Sequence, residues 1–414
     1  MPRSGRAQDA DPNDALVAPL RGFTRADLAR LEPLLAEGTV GLIEITEGEL
    51  LPGVHLALDV EAPAATVAEV MSTPERYHEF MPAISSVTVR ERRGDMLAYE
   101  WDWRTSLFTL GGQAMLTLYS PPRGQERRGY RMVVERSGGD LGHGREVWQV
   151  VPLSPTRCRV QLSARIDLRD ANAVTRQMQN IGRSLSRSIT MAMGLGALTR
   201  VQMESERRAG FTRPPPSGTG MHRPTIDVAP LEGLMRRGDL VLIEGDGPTL
   251  RQSVLLTRYN RTEAQVRAIM LSPVAFAQAL IQGSTATLTG ERTEDGLEFD
   301  WRVDRPLVGT GGHMILREHG DHTVELEALE GAMSGGRWQF ETGVLPSHAT
   351  YVLGWAEFDV GDANFLVRAI VDADESFRGG MSSAAVVMLA RALRVRLTLE
   401  PATGVHAQMD AGRP

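Results

Sequence analysis

The stretch LAYEWDWRTSLFTLGG, residues 97–112, sets large apolar side chains at every second position and then stops on two glycines. Leu97, Tyr99, Trp101 and Trp103 fall on one face, with Glu100 and Asp102 on the other. That is the two-residue period of a strand with one side against a core and the other against water or a partner. The pattern returns two hundred residues later, where Leu297, Phe299, Trp301 and Val303 alternate with Glu298, Asp300 and Arg302, and Gly311-Gly312 repeats Gly111-Gly112.

Around these anchors the chain is written twice. LEPLLAEGTVGLIE (31–44) matches LEGLMRRGDLVLIE (231–244), VAEVMSTPERY (67–77) matches VRAIMLSPVAF (266–276), and DLRDAN (167–172) matches DVGDAN (359–364), in one order and at offsets of 192 to 200 residues. Self-similarity of this kind marks repeated structural units. The join is RRAGFTRPPPSGTGMHRP (207–224), whose proline and glycine continue neither a helix nor a central strand. The expected organisation is a disordered tail over 1–22, a domain over 23–208, a Pro/Gly linker over 209–226, a second domain over 227–400 and a tail over 401–414.

Each copy reads as a short amphipathic helix (25–36 and 228–236), a strand ending in LIE, a second strand, and a helix broken at Pro74 or Pro273. Several alternating strands follow, and a long helix closes the copy over 182–208 or 381–397, with apolar residues at helical spacing. The fold class this predicts is α+β, each copy a curved antiparallel sheet around its long C-terminal helix, with the aromatic face turned toward the helix.

Composition prunes the chemistry. All 45 basic residues are arginine, so chemistry that needs a lysine amine (Schiff bases, GK[ST] phosphate loops, protein kinases, Ser–Lys hydrolases) is excluded. The single cysteine, Cys158, rules out an internal disulfide and multi-cysteine zinc sites, and its place on an alternating apolar strand reads as a buried structural thiol. A net charge of −7 argues against general nucleic-acid binding. No apolar run is long enough to span a bilayer, and the first twenty residues lack a secretory core, so the expected location is the cytoplasm.

VEAPAATVAEVMSTPERYHEFMPAISSVTVRE (60–91) resembles the first strand, broken helix and returning strand of START-like, or SRPBCC, domains, the superfamily of polyketide cyclase/dehydrase and coenzyme Q-binding START-like proteins. The resemblance covers nearly all of 40–208 and is weaker over 240–397. It implies two tandem helix-grip domains, each enclosing a cavity for a lipid, quinone or polyketide-like molecule. Residues expected at the cavities are Tyr99, Trp101, Trp103, Met115, Arg145 and Trp148 in the first copy, and Phe299, Trp301, Arg337, Trp338 and Phe340 in the second. Large rings and thioethers suit an apolar ligand, though the same rings also serve simply as core. Arg145 and Arg337 stand at matched positions and read either as partners for a ligand oxygen or as solvated edge charges.

The remaining motifs carry less. His143 and His313 are not equivalent, and His78-Glu79 is half of an acid–base pair. The Asp and Asn of DLRDAN and DVGDAN read as helix caps rather than cation ligands, and GLGAL (194–198) lies inside a helix, where glycine allows close approach. No metal and no cofactor are expected. Binding or transport of a hydrophobic small molecule is the leading expectation. The alternatives are an aromatase/cyclase-type enzyme and a non-catalytic interaction protein, the last drawn from Tyr351, Leu353 and Trp355 on an outward face. The chain departs from the cyclases in its extra helix and LIE strand, and in lacking an aspartate in MSTPERY. Transient membrane contact and self-association through the second domain complete the partner expectations.

Overall fold

In the computed structural model, residues 20, 22–46, 53–168, 171–172, 183–214, 220–246, 249–280, 284–304, 309–320, 322–358 and 365–399 are described. The first half contains α1 (Arg25–Leu35), β1 (Gly38–Glu44), β2 (Val54–Val60), α2 (Ala64–Ser72), α3 (Tyr77–Phe80), β3 (Ile84–Arg93), β4 (Met96–Arg104), β5 (Thr109–Tyr119), β6 (Tyr130–Gly139), β7 (His143–Pro152), β8 (Cys158–Asp167) and α4 (Arg183–Arg208). The second contains α5 (Glu232–Met235), β9 (Gly238–Asp246), β10 (Thr249–Tyr259), α6 (Glu263–Met270), α7 (Pro273–Leu280), β11 (Ser284–Leu288), β12 (Leu297–Val303), β13 (Thr310–His319), β14 (Thr323–Gly331), β15 (Arg337–Val344), β16 (Thr350–Glu357), α8 (Phe365–Ala373) and α9 (Phe377–Leu399).

Local chemistry sets the helix ends. Thr24 and Asp27 form a reciprocal capping box at the start of α1, as do Thr262 and Gln265 at α6. Helix α2 stops one residue before Pro74, which opens a 3-10 turn leading into α3. The broken helices read from the sequence are therefore present in both copies.

All sixteen strands form one antiparallel sheet, ordered β11-β12-β13-β14-β15-β16-β10-β9-β1-β2-β8-β7-β6-β5-β4-β3. The second half repeats the strand order of the first in mirror sequence, and the halves join where β1 pairs with β9. There Gly41 lies opposite Val241, two positions that match in the repeat, while Gly38 faces Glu244 and Glu44 faces Gly238. A local twofold axis thus passes between Gly41 and Val241, as in an isologous dimer fused into one chain.

The strands at this joint are buried on both faces, which is why TVGLIE and DLVLIE are nearly continuous apolar runs. Val40, Leu42, Leu240 and Leu242 pack with Leu31, Leu35, Leu234 and Met235 of α1 and α5 in an outer core. Ile43, Val241 and Ile243 belong to the inner core beneath α4 and α9. Leu353 and Trp355 are buried in the outer core and Tyr351 packs against it. Their apolar character is accounted for by packing within the chain, so these three residues do not present the outward apolar face expected of them.

Charged clamps cross the joint. Asp239, fully buried, accepts from Arg394 Nη2 (2.7 Å) and Thr257 Oγ1 (2.6 Å) and lies 3.0 Å from Arg391 Nε, while Arg391 Nη2 donates to the Glu44 carbonyl in the other half at 3.0 Å. Burial alone would raise the Asp239 carboxyl, but the two guanidiniums hold it below the usual aspartate range.

A Cβ on Gly38 would overlap the carbonyl oxygen of Ile243, and one on Gly238 the carbonyl oxygen of Ile43, so the joint needs glycine at both symmetric ends. Gly38→Ala and Gly238→Ala are each expected to lower stability by about 1–3 kcal/mol in urea unfolding. Gly233→Ala in α5, where an added methyl meets nothing within 4 Å, should be neutral or stabilising by up to about 1 kcal/mol. Equal tolerance at all three glycines would contradict this account of the joint.

Candidate functional site

Each half holds a cavity between its sheet and its long helix. The first, of about 140 Å³, is bordered by Tyr99, Trp101, Trp103 and Trp148 on the sheet side, by Tyr77 of α3, and by Met193, Gly194, Gly196, Ala197 and Arg200 of α4. The second, of about 260 Å³, is bordered by Phe299, Trp301, Trp338, Phe340 and Phe358, and by Met381, Ala384, Ala385, Met388 and Leu389 of α9. The indoles of Trp101 and Trp301 sit opposite Gly112 and Gly312 on the neighbouring strand and lie against them, which explains why the aromatic alternation ends in a glycine pair.

Met115, Arg145 and Arg337 border neither cavity. Tyr99 pairs with Ala114, so Ala114 and Leu116 point inward and Met115 outward, where it is 37% exposed. Glu146 and Trp148 point inward from β7, which turns Arg145 to the outer face 3.8 Å from Glu135. On β15 Trp338 points inward and Arg337 lies outside, paired with Glu327 at 3.3 Å. In each case strand parity decides.

The polar group in the first cavity is one the sequence did not single out. Arg136 on β6 and Glu146 on β7 form an ion pair facing inward, Trp148 Nε1 donates to Glu146 Oε2 at 3.2 Å, and the Arg136 guanidinium stands 5.8 Å from the centre of the Trp101 ring. Arg136 Nη1 is buried and has no partner. The second half completes this cavity: Asp374 accepts from Arg200 at 2.6 Å, and the Phe377 ring stacks edge-on to Trp103 with centroids 5.9 Å apart. A Cβ at Gly196 would meet the Phe377 ring at 2.9 Å, and one at Gly194 would meet Leu162 and Leu56 at 3.2 Å. The two glycines therefore let α4 approach the second half on one side and its own sheet on the other.

The ladder fixes which residues of the two cavities correspond. From Gly41 and Val241 the register passes to Leu56 and Leu255, then to Leu162 and Gly354, then to Trp148 and Phe340. Glu146 accordingly corresponds to Trp338, and Arg136, opposite Ala114, corresponds to Ala328, opposite Met314. The ion pair of the first cavity is replaced by an indole and a methyl in the second. Exchange of Trp103 for Val303 and Trp148 for Phe340 accompanies the larger volume.

The other candidates are structural. His313 bonds Asp300 (2.9 Å) and Glu298 (3.1 Å) on the outer face, and its pKa is raised first by the hydrogen bond to Asp300. His143 begins β7, and His78 and Glu79 are exposed, with Glu79 held by Arg76. Asn172 donates to Asp140 at 3.0 Å; Asp170, Asp359, Asp362 and Asn364 lie outside the described residues. Ser163, His55 and Glu44 are linked in series at 2.9 and 3.1 Å, in the order of a hydrolytic relay. His55 has no exposure, however, and Gly22 sits directly on the serine hydroxyl, so the relay ties β1, β2 and β8 together without access for a substrate. Among the described residues no cluster could hold a metal ion, and no helix is long and apolar enough to cross a membrane.

Residues 60–182 match the family described as polyketide cyclase/dehydrase and lipid transport. The match lies within the first half, and the second half repeats that half's strand topology. The chain is similar to an aromatase/cyclase from Streptomyces, ZhuI (19% identity, 39% of this chain and 98% of that one, TM-score 0.33), and to a STAR-related lipid transfer protein from Xanthomonas axonopodis (14%, 41% and 94%, 0.31). It is also similar to the di-domain aromatase/cyclase StfQ of steffimycin biosynthesis (11%, 83% and 98%, 0.28). No curated protein matches the chain.

Two outcomes test the site. Arg136→Met alone should destabilise by about 3 kcal/mol, because it strands the Glu146 carboxylate, and Arg136→Met with Glu146→Leu should recover most of that loss in the same urea titration. Cys158, fully buried, has its thiol pushed up to about 12 by burial. It should resist a thiol-reactive disulfide at pH 8 in the native protein and react stoichiometrically in urea.

Proposed function

We propose that the protein binds and carries a hydrophobic small molecule, lipid, quinone or polyketide-like, in helix-grip cavities of two domains spanning 23–208 and 227–400, with the second cavity as the principal site. The observation that carries this reading is the second cavity itself: about 260 Å³ walled by rings, thioethers and aliphatic chains, with no charged side chain among the described residues on its border. Concave apolar space of this kind, left unfilled by side chains, is what a ligand site needs and what a close-packed core lacks. We place the protein in the cytoplasm, where a fold that needs no internal disulfide can stand. For a lipid ligand, loading would involve transient membrane contact.

A cyclase-type activity is the second reading, and it rests on one feature, the inward Arg136–Glu146 pair with its unpartnered Nη1 in the first cavity. The two readings divide by cavity, since among the described residues the second offers no charged group for acid–base work.

Denaturing the purified protein and extracting it with organic solvent should release a neutral ligand visible by mass spectrometry. Ala384→Leu, which fills the second cavity from α9, should reduce that ligand about tenfold while far-UV circular dichroism stays unchanged. An empty wild-type protein that also takes up no apolar fluorescent probe would sink the carrier reading.

A further inference from the structure

The second cavity contains a donor with nothing to donate to. Trp338 is 1% exposed and borders the cavity, and its Nε1 has no partner among the described residues. Buried donors are nearly always paired, and the repeat shows how this one became unpaired. In the first half Glu146 accepts from the neighbouring indole, Trp148. In the second half the indole of Trp338 occupies the position of that carboxylate, Phe340 replaces the tryptophan that donated to it, and Ala328 replaces its arginine. The exchange removed the acceptor and brought in an N–H.

The other polar groups on the wall do not supply an acceptor. Thr257 Oγ1 is engaged with Asp239 and Arg394, and the Tyr259 hydroxyl donates to the Ala390 carbonyl at 3.0 Å. Ser284 Oγ, in a residue 7% exposed, is itself unpartnered on the same wall. Trp301 Nε1 is unpartnered too, but it lies against Gly312. No described residue on the border is charged, and among these residues a carboxylate or phosphate entering the cavity would find nothing to compensate its lost hydration.

We propose that the second cavity selects a neutral, largely apolar ligand bearing a carbonyl oxygen, as in a ketone, quinone or ester, and that Trp338 Nε1 donates a hydrogen bond to that oxygen. The proposal rests on the reading of this cavity as a hydrophobic ligand site and adds the polar group by which the ligand is chosen. A site built to pair a buried donor discriminates against an analogue that lacks the acceptor.

The test uses the full chain and two rigid probes that differ by one carbonyl, 9-fluorenone and fluorene. Binding is followed by tryptophan fluorescence, and the indole N–H resonances by nitrogen-15 NMR. Trp338→Phe should lower the ratio of fluorenone to fluorene affinity about fivefold to tenfold, with fluorene itself changing less than about twofold. In the wild-type protein fluorenone, and not fluorene, should move the Trp338 indole resonance downfield. An unchanged ratio, or a resonance that both probes shift alike, overturns the proposal while leaving the hydrophobic site standing, as does binding of fluorene alone. Failure of both probes to bind overturns the hydrophobic-site reading and this proposal with it. Should Trp338→Phe not fold, the indole resonance assigned in the wild-type protein decides alone.

Discussion

The ladder between β1 and β9 is the constraint on which the rest of the molecule depends. A strand pair that places Gly41 opposite Val241 puts the two copies about a twofold axis, and a continuous sheet through that axis leaves one face on which both long helices must lie. They meet there as close neighbours, with a Cβ on Gly380 having to enter the space of Ala192 and one on Gly196 that of Phe377. The additional helix and LIE strand of each copy, which set the chain apart from the cyclase pattern in sequence, are the material of this joint. They give β1 and β9 a second buried face, and the close approach of Gly38 to the Ile243 carbonyl and of Gly238 to the Ile43 carbonyl holds their register.

Fusing two copies freed them to diverge. In a symmetric homodimer every substitution appears twice, whereas here the inward arginine–glutamate pair of the first cavity has both members replaced at the matching positions of the second. That joint replacement is what electrostatics demands: removing one partner of a buried pair strands a charge, while replacing both with apolar groups is close to neutral. Ala328 and Trp338 satisfy that rule in charge but leave one N–H over, so the second cavity is nearly, and not wholly, hydrocarbon.

Most of the fold was legible because it is written in periods. The two-residue alternation of 97–103 and 297–303, the prolines that break the second helices and the spacing of the long closing helices all became the elements they predicted. The aromatics assigned to the inner face border the cavities for the same reason. Met115, Arg145 and Arg337 were misplaced because they were picked by residue type, whereas parity from Tyr99, Trp148 and Trp338 already turns them outward. Arg136 and Glu146 gave no signal in one dimension, since they are ten residues apart on different strands and become partners only across the β6–β7 ladder. Asp374 and Phe377 were further out of reach, because they enter the first cavity from the other copy.

That last contact makes the two halves unequal partners. Phe377 closes the first cavity against Trp103, and it is also the first residue of α9, the helix that forms one wall of the second cavity. Asp374, three residues earlier, holds Arg200 of α4. A ligand that enlarged the first cavity would press on Phe377 and hence on the end of the helix lining the other site, so the same few residues that seal one cavity set the position of the other's wall. Separating the two copies would expose the Phe377 face of α4, leave Arg200 without the Asp374 carboxylate and strip β1 of β9. The first half therefore owes both the cover of its sheet edge and part of its cavity wall to the second.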